Sequence, residues 1–162
     1  MVSTKRLKEL LDYNPDTGVF TWRVKSGRSA AGSQAGSNTG TRGYRRIMLD
    51  KTLYLGHRLA MQYMTGKVPK EDVDHINGVT DDNRYCNLRN ATRSMNNQNR
   101  RTAKRKNATG YLGVTQDKRD GRYYAAIFVD GVKRGLGGYA TPEEAYEAYV
   151  IAKRQLHKGC TI

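Results

Sequence analysis

The 162 residues predict an α+β protein made of short antiparallel strands and a few helices. Short runs of alternating apolar and polar residues are separated by turn signals such as Asn77-Gly78 and Asp130-Gly131. Residues 142–156 repeat apolar side chains at helical spacing behind Thr141-Pro142-Glu143-Glu144, which has the pattern of a capping box. This mixture of hairpins and isolated helices favours small sheets that each bury one face.

The first part of the chain, residues 1–101, is predicted to alternate between hairpins and short helices. In chain order we expect a helix over 3–12, a strand over 19–24, a hairpin over 44–55 that turns at Asp50-Lys51, a helix over 57–65 closed by Gly66, strands over 73–76 and 88–91, and a helix over 93–101.

A basic segment, residues 102–109 (TAKRKNAT), is poor in apolar residues, and we expect it to link two domains. After it, strands over 111–116, 122–129 and 132–139 precede the helix at 142–156. A three-stranded antiparallel sheet packed on one helix is about the smallest unit of this kind that buries an apolar face. The predicted domains are therefore 1–101 and 110–162.

The charge is that of a protein that binds a polyanion. Lys and Arg number 29 against 15 Asp and Glu, which gives a formal net charge of +14, and the mean hydropathy is −0.80. Nucleic acid is the first candidate partner. No apolar run approaches the roughly 20 residues of a membrane helix, and the N-terminus lacks the apolar stretch of a secretory signal. We therefore expect a soluble intracellular protein with no membrane partner.

An acid-rich segment interrupts this basic chain. Residues 71–82 contain five acidic residues and no basic one, whereas residues 83–116 contain eight basic residues and no acidic one. A solvated loop can have this composition. A metal-dependent nuclease also needs it, because a carboxylate and a phosphodiester repel each other unless a cation lies between them.

The segment 73–100 places four polar side chains where a strand, a loop, a second strand and a helix bring them together. Asp74 and His75 end the first strand, Asn87 precedes the second, and Asn96 lies in the helix. A carboxylate and an amide oxygen suit a hard divalent cation such as Mg²⁺. A neutral histidine suits a general base that activates water near pH 7. The set predicts metal-assisted hydrolysis of a phosphodiester.

The stretch VDHINGVTDDNRYCNLRNATRSMNNQNR resembles the HNH nuclease family, in particular its phage and intron-encoded homing type. The upstream segments LLDYNPDTGVFTWR and YLGHRLAMQYMTGKVP are similar to what precedes the motif in that family. The resemblance implies a ββα-metal (His-Me finger) fold. In that fold the position of His75 is the general base, and the position of Asn87 braces the loop and orients the histidine. The positions of Asp74 and Asn96 hold a metal that stabilises charge on the scissile phosphate and the leaving 3′-oxygen.

One position departs from the family pattern. Many relatives carry a histidine on the helix where this chain has Arg93, so no zinc site is expected. Mg²⁺ is the expected cofactor, with Mn²⁺ as the alternative. Asn97 is a second candidate metal ligand beside Asn96.

The C-terminal segment, residues 110–159, resembles the Apetala-two (ethylene-response-factor) DNA-binding domain, which is known in plant regulators and in phage homing nucleases. The resemblance is carried by residues 110–114, 123–127, 136–139, 141–149 and 156–159. It implies a sheet that lies in the DNA major groove, and a dimer interface on the same face is the alternative. The plant sequence specificity does not carry over, because the chain differs from the plant pattern at Leu112, Asp117, Ala126, Phe128 and Gly135.

The residues expected to contact DNA are basic side chains around the HNH-like motif and the linker, together with side chains of the C-terminal sheet. They are Arg89, Arg93, Arg100, Arg101, Lys104, Arg105, Lys106, Thr115, Arg119, Arg122, Tyr124 and Lys133.

As a whole, the sequence predicts an HNH homing-type endonuclease that hydrolyses a phosphodiester at a specific site of double-stranded DNA in a bacterial host cytoplasm. One active site cuts one strand, so a monomer or weak dimer should nick, and no small-molecule substrate is expected. The first alternative is a non-catalytic, sequence-specific DNA-binding regulator. The second is an RNA-binding protein.

Overall fold

The computed structural model describes residues 1–38, 43–103, 107–157 and 160. Its helices are α1 (Thr4–Leu10), α2 (Gly56–Thr65), α3 (Arg93–Gln98) and α4 (Pro142–Leu156). Its strands are β1 (Leu11–Asn14), β2 (Val19–Trp22), β3 (Arg46–Leu49), β4 (Thr52–Leu55), β5 (Asp72–His75), β6 (Leu88–Ala91), β7 (Val114–Gln116), β8 (Tyr123–Val129) and β9 (Val132–Tyr139). This mixture of a few helices with small antiparallel sheets confirms the predicted α+β class.

The chain divides into two compact units, one over residues 1–93 and the other over residues 94–162. The predicted linker at 102–109 falls inside the second unit, and its residues 104–106 lie outside the described ones. The predicted boundary between domains therefore stays a prediction. In the described part of the chain, no helix combines the length and the apolar character that crossing a membrane requires.

The first unit contains three two-stranded ribbons, β1–β2, β3–β4 and β5–β6, together with α1 and α2. The ribbons bury alternate side chains in one shared core. Its fully buried members are Leu7, Leu11, Phe20, Ala35, Ile47, Leu49, Leu59 and Ala60. The β5–β6 ribbon joins the same core through Val73 and Leu88, which anchors the strand that carries Asp74 and His75.

Helix α1 is shorter than predicted. The predicted helix ran to residue 12, whereas the chain leaves the helix after Leu10 and enters β1. Leu11 pairs across the ribbon with Trp22, and both side chains are buried. The helical periodicity of the leucines was real, but this long-range pairing outweighs a helix propensity worth only a few tenths of a kcal/mol per residue.

The β3–β4 hairpin and α2 match the prediction. Asp50 and Lys51 have φ values of 45° and 64°, as the two-residue turn of a tight hairpin requires. Helix α2 ends at Gly66, whose φ of 73° lies in the left-handed region. The turn and the helix end were predictable because both depend on local backbone conformation.

The turn between β1 and β2 presses against the loop that follows β5. A Cβ atom on Gly18 would lie 2.5 Å from the backbone N of Arg84 and 2.5 Å from the carbonyl C of Asn83. The backbone N–H of Tyr85 donates a hydrogen bond of 2.9 Å to the carbonyl oxygen of Pro15. The N-terminal hairpin therefore supports the loop at 83–85 directly.

We expect Gly18→Ala to destabilise the protein by roughly 1–3 kcal/mol more than Gly27→Ala, because only Gly18 abuts backbone atoms that cannot move aside. Gly27 is the matched control: its φ of 56° is also positive, but a Cβ there would meet no described atom within 4 Å. Urea unfolding of the two variants measures the difference. Equal losses of stability would contradict the close approach.

The second unit has a three-stranded antiparallel sheet in the order β7-β8-β9, with α4 packed on it. Along β8, Ala125, Ile127 and Val129 are buried against α4, while Tyr124 and Phe128 are exposed on the other face. The side chains of β8 therefore alternate between the inner face on α4 and the outer face of the sheet. Helix α4 begins with the predicted capping box: Thr141 accepts from the backbone N–H of Glu144, whose side chain accepts from the Thr141 backbone N–H.

Candidate active site

The β5–β6 ribbon places Asp74 and His75 side by side at the end of β5. In the antiparallel register Asp74 lies opposite Arg89, and His75 lies opposite Leu88. Asp74 is 8% exposed and His75 is 3% exposed. Because successive side chains of a strand point to opposite faces, the two have different neighbours.

On its face of the ribbon, Asp74 forms an ion pair with its cross-strand partner. The Nη2 and Nε atoms of Arg89 donate to Oδ2 of Asp74 at 2.9 and 3.2 Å. The Asp74 side chain is 9% exposed and the Arg89 side chain 22%. The Arg89 guanidinium thus places a positive charge directly beside the buried Asp74 carboxylate.

On the opposite face, the His75 ring lies among two other rings and an amide. The centroids of the His57 and His75 rings are 4.9 Å apart with the rings edge to face, and the Tyr44 ring is 5.9 Å from His75. Nε2 of His75 lies 3.2 Å from Oδ1 of Asn83. Burial lowers the pKa of His75, and the Asn83 hydrogen bond and the nearby Asp74 charge act in the opposite direction. A neutral imidazole, the form that accepts a proton, is therefore the resting state at neutral pH.

Helix α2 supplies His57 from its first turn. The ring is 5% exposed, and its Nδ1 atom finds no hydrogen-bond partner among the described residues. Burial, together with the neighbouring His75 ring and the positive charge of Arg58, lowers the pKa of His57 to about 3. The observed contact of His57 is ring packing on His75.

We expect His57→Phe to make the stability less sensitive to acid. The folded pKa of about 3 lies below the ordinary 6.5, so between these values the unfolded chain binds the extra proton. The free energy of unfolding then falls as the pH drops from 6.5 towards 3, by about 1.4 kcal/mol per pH unit for one proton. Phenylalanine keeps an aromatic ring at position 57 and has no group that binds a proton in this pH range. Urea unfolding at several pH values from 7 to 4 measures it, and parallel profiles for the two proteins would contradict it.

The loop between β5 and β6 is held by side-chain amides. Oδ1 of Asn87 accepts from the backbone N–H of Asn77 at 2.9 Å, and its Nδ2 donates to the carbonyl oxygen of Asp82 at 2.8 Å. Asn87 thus ties the two ends of the loop together, and its role in the reaction stays a prediction. The side-chain amide that faces the His75 ring, in contrast, is that of Asn83, whose Oδ1 is the hydrogen-bond acceptor.

The acidic residues of this loop bind arginines. Asp81 pairs with Arg45 at 3.2 Å, and Asp82 pairs with Arg84 at 2.6 Å. The hydrogen bonds from Arg84 and Asn77 lower the pKa of Asp82 to about 2. These two ion pairs stabilise the loop, whereas Asp74 lies directly before His75 in β5.

The structure places the predicted site residues in two groups. Asp74, His75 and Asn87 belong to the first unit. Asn96 and Asn97 are exposed in α3, in the second unit, where Oδ1 of Asn97 accepts from Nη2 of Arg100 at 3.3 Å. Among the described residues, no group of three or more His, Cys, Asp or Glu side chains could hold a metal ion. The pairing of Asp74 with Asn96 on one metal stays a prediction.

The predicted DNA contacts are spread over both units. Arg93 is exposed at the start of α3, Arg100 is exposed beyond its end, and Arg101 is half-buried. Lys104, Arg105 and Lys106 lie outside the described residues.

The remaining predicted contacts belong to the C-terminal sheet and to the turn before β8. Thr115 lies opposite Tyr124, Phe128 lies opposite Lys133, and all four side chains are exposed. Arg122 donates to the carbonyl oxygen of Gly138 at 3.0 Å. Arg119, in the turn before β8, is exposed and pairs with Asp117 at 2.6 Å. The outer sheet face is therefore a surface of aromatic and basic side chains, here defined by Thr115, Arg122, Tyr124, Ala126, Phe128 and Lys133.

Sequence reasoning missed Asn83 and Tyr44 as neighbours of the histidine. Asn83 lies between the predicted strands at 73–76 and 88–91, yet it is 2% exposed. The local sequence does not show that Asn83 is buried, because its burial depends on the distant hairpin at 13–18. The run of adjacent Asp and Asn at 81–83 was the one local hint that side chains cap the loop.

One comparison with known proteins gave a match, to a protein-family model that spans this ribbon. Residues 54–98 match the family model described as HNH endonuclease, from β4 to the last residue of α3. The match includes Asp74, His75, Asn87 and Asn96. Neither the curated proteins nor the solved structures gave a match. The family match supports an HNH nuclease domain at residues 54–98, with DNA as its partner and a divalent metal as the family's usual requirement.

Proposed function

We propose that this protein is a metal-dependent HNH endonuclease of the homing type, which hydrolyses one strand of double-stranded DNA at a specific site. The observation that carries the proposal is the adjacent buried pair of Asp74 and His75 on a β-hairpin, inside the segment that matches the HNH endonuclease family. A homing, phage or intron-encoded origin rests on the sequence resemblance.

His75 acts as the general base. Its neutral ring takes a proton from the attacking water, and the carboxylate of the neighbouring Asp74 and the amide oxygen of Asn83 stabilise the imidazolium that results. Asn87 keeps the loop closed around the end of β5.

Asp74 and Asn96 would hold the metal. One carboxylate and one amide oxygen fit Mg²⁺, which keeps several waters and completes its shell with substrate phosphate, whereas a zinc site needs more nitrogen or sulfur ligands. Asp74 already faces a cation, since its carboxylate binds Arg89, so its setting is compatible with positive charge. When bound, the metal supplies stabilisation of the charge that develops on the scissile phosphate and the 3′-oxygen.

Arg89 is also proposed to contact a DNA phosphate. A guanidinium carries five N–H donors, so Arg89 can contact a phosphate without releasing Asp74. Arg93 and the basic residues from Arg100 to Lys106 would follow the phosphate backbone, which adds affinity and salt dependence and carries no sequence information.

The outer sheet face would read the DNA. It combines exposed rings, Tyr124 and Phe128, with the basic side chains of Arg122 and Lys133 on one face of a three-stranded sheet. An exposed phenylalanine beside cations is unusual on a solvent surface and is suited to apolar contact with thymine methyl groups in a groove. This supports the Apetala-two resemblance.

The test is incubation of supercoiled plasmid and phage DNA with the purified protein in Mg²⁺ or in EDTA. We expect conversion to open circles in Mg²⁺ and none in EDTA. Direct linearisation would keep the chemistry and point to paired active sites. Intact binding without cutting on any DNA would contradict the proposal and favour the non-catalytic regulator.

A further inference from the structure

We propose that Asn83 is a positioning residue that selects the tautomer of His75, so that Nε2 carries the hydrogen and Nδ1 carries the lone pair that accepts a proton. The inference deepens the proposed function and rests on it for its catalytic meaning. The tautomer of His75 can be measured whether or not the protein cleaves DNA.

The amide of Asn83 has a defined orientation. Its Nδ2 donates to the carbonyl oxygen of Asp81 at 3.3 Å. A carbonyl oxygen can only accept, so a flipped amide would set two oxygens against each other. Oδ1 of Asn83 must then be the atom that faces His75.

That orientation decides the proton on the ring. Oδ1 of Asn83 lies 3.2 Å from Nε2 of His75, and an amide oxygen has no hydrogen to give. Nε2 therefore donates, and in a neutral imidazole the other nitrogen, Nδ1, carries the lone pair. Asn83 is 2% exposed and His75 is 3% exposed. In the other tautomer, two buried acceptors, Oδ1 of Asn83 and Nε2 of His75, would face each other without a hydrogen between them, which is energetically unfavourable.

Asn83 is itself held from the N-terminal hairpin. The hydroxyl of Tyr13 donates to the carbonyl oxygen of Asn83 at 2.7 Å. The Tyr13 ring is fixed by Phe20, with ring centroids 4.6 Å apart. Gly18 approaches the backbone of Asn83 so closely that no side chain would fit between them. The backbone and both ends of the Asn83 side chain are thus restrained.

The measurement is a ¹⁵N–¹H correlation spectrum of the histidine rings in the ¹⁵N-labelled full-length protein at neutral pH. The His75 signals are identified by their loss in His75→Gln. We expect Nε2 at the shift of a protonated ring nitrogen and Nδ1 at that of an unprotonated one. The reverse assignment in the wild-type protein would overturn the proposal.

Two substitutions test whether Asn83 is the cause. Asn83→Leu removes the acceptor at similar size, and we expect the His75 ring to shift to the other tautomer or to a mixture. Asn83→Asp keeps and strengthens the acceptor, so the single tautomer should persist with the Nε2 proton moved downfield. An unchanged His75 spectrum in Asn83→Leu, or in Asn83→Asp if the leucine variant does not fold, would overturn the proposal. Asn90→Leu, at an exposed asparagine of β6, is the matched control.

Cleavage kinetics connect the tautomer to function. We expect Asn83→Leu to lower kcat at least tenfold with little change in DNA affinity, and Asn83→Asp to retain more of the rate. Normal cleavage by Asn83→Leu with a changed tautomer would overturn the positioning role. A wild-type protein that shows the expected tautomer but cuts no DNA would contradict the proposed function and leave the structural assignment intact.

Discussion

His75→Ala is expected to lower the rate of DNA strand cleavage by roughly 10²–10⁴-fold, the usual contribution of a positioned general base. DNA affinity should stay within a few-fold, because the ring is buried at 3% exposure and offers little surface to DNA. Single-turnover cleavage in Mg²⁺ measures the rate, and fluorescence anisotropy in EDTA measures binding. The thermal midpoint of each variant establishes that it is folded.

Asp74→Asn tests the metal side of the same site. We expect it to abolish cleavage and to weaken Mn²⁺ binding, followed by electron paramagnetic resonance, since the carboxylate is the one charged ligand proposed. It also leaves Arg89 beside a neutral partner, so its stability must be measured as well. Asp72→Asn is the matched control, because Asp72 lies on the same strand and is exposed. Cleavage by His75→Ala at the wild-type rate, or equal effects of Asp72→Asn and Asp74→Asn, would reject the proposed active site.

Phe128→Asp is expected to weaken binding of duplex DNA roughly tenfold or more, which corresponds to about 1.4 kcal/mol. Phe128 is 61% exposed on the outer sheet face and lies opposite Lys133. The substitution removes an apolar contact and adds a negative charge that repels phosphate. Because exposed positions contribute little to folding, the stability of the protein should change by less than about 0.5 kcal/mol. Anisotropy titration with a pool of random-sequence duplexes at several salt concentrations measures the effect.

Ile151→Asp provides the matched control for this substitution. Ile151 is an apolar side chain of α4 with 51% exposure, and α4 packs on the inner face of the sheet. The control makes the same change in net charge away from the outer sheet face. Equal losses of affinity in both variants would mean that overall charge alone is responsible. Unchanged affinity in Phe128→Asp would mean that DNA binds elsewhere and would favour a dimer interface on this face.

The elements that depend on neighbours in sequence were predictable. The capping box at Thr141, the hairpin turn at Asp50-Lys51 and the helix end at Gly66 follow from the backbone preferences of a few adjacent residues. The inward and outward faces of β8 followed from its alternating pattern for the same reason. The early end of α1 did not, because the pairing of Leu11 with Trp22 joins residues on two different elements.

In the candidate site, too, some features follow from the sequence and others only from the tertiary structure. The sequence by itself determined which functional groups the site can use: an adjacent carboxylate and imidazole, amides at the spacing of the family motif, and a basic chain suited to DNA. Only the tertiary structure decided what each group touches, such as Asp74 with Arg89 and His75 with His57 and Asn83. The Tyr13 hydroxyl that holds Asn83 comes from 70 residues away. Contacts of that kind arise from the packing of separate segments into one core, and a local residue pattern carries no record of them.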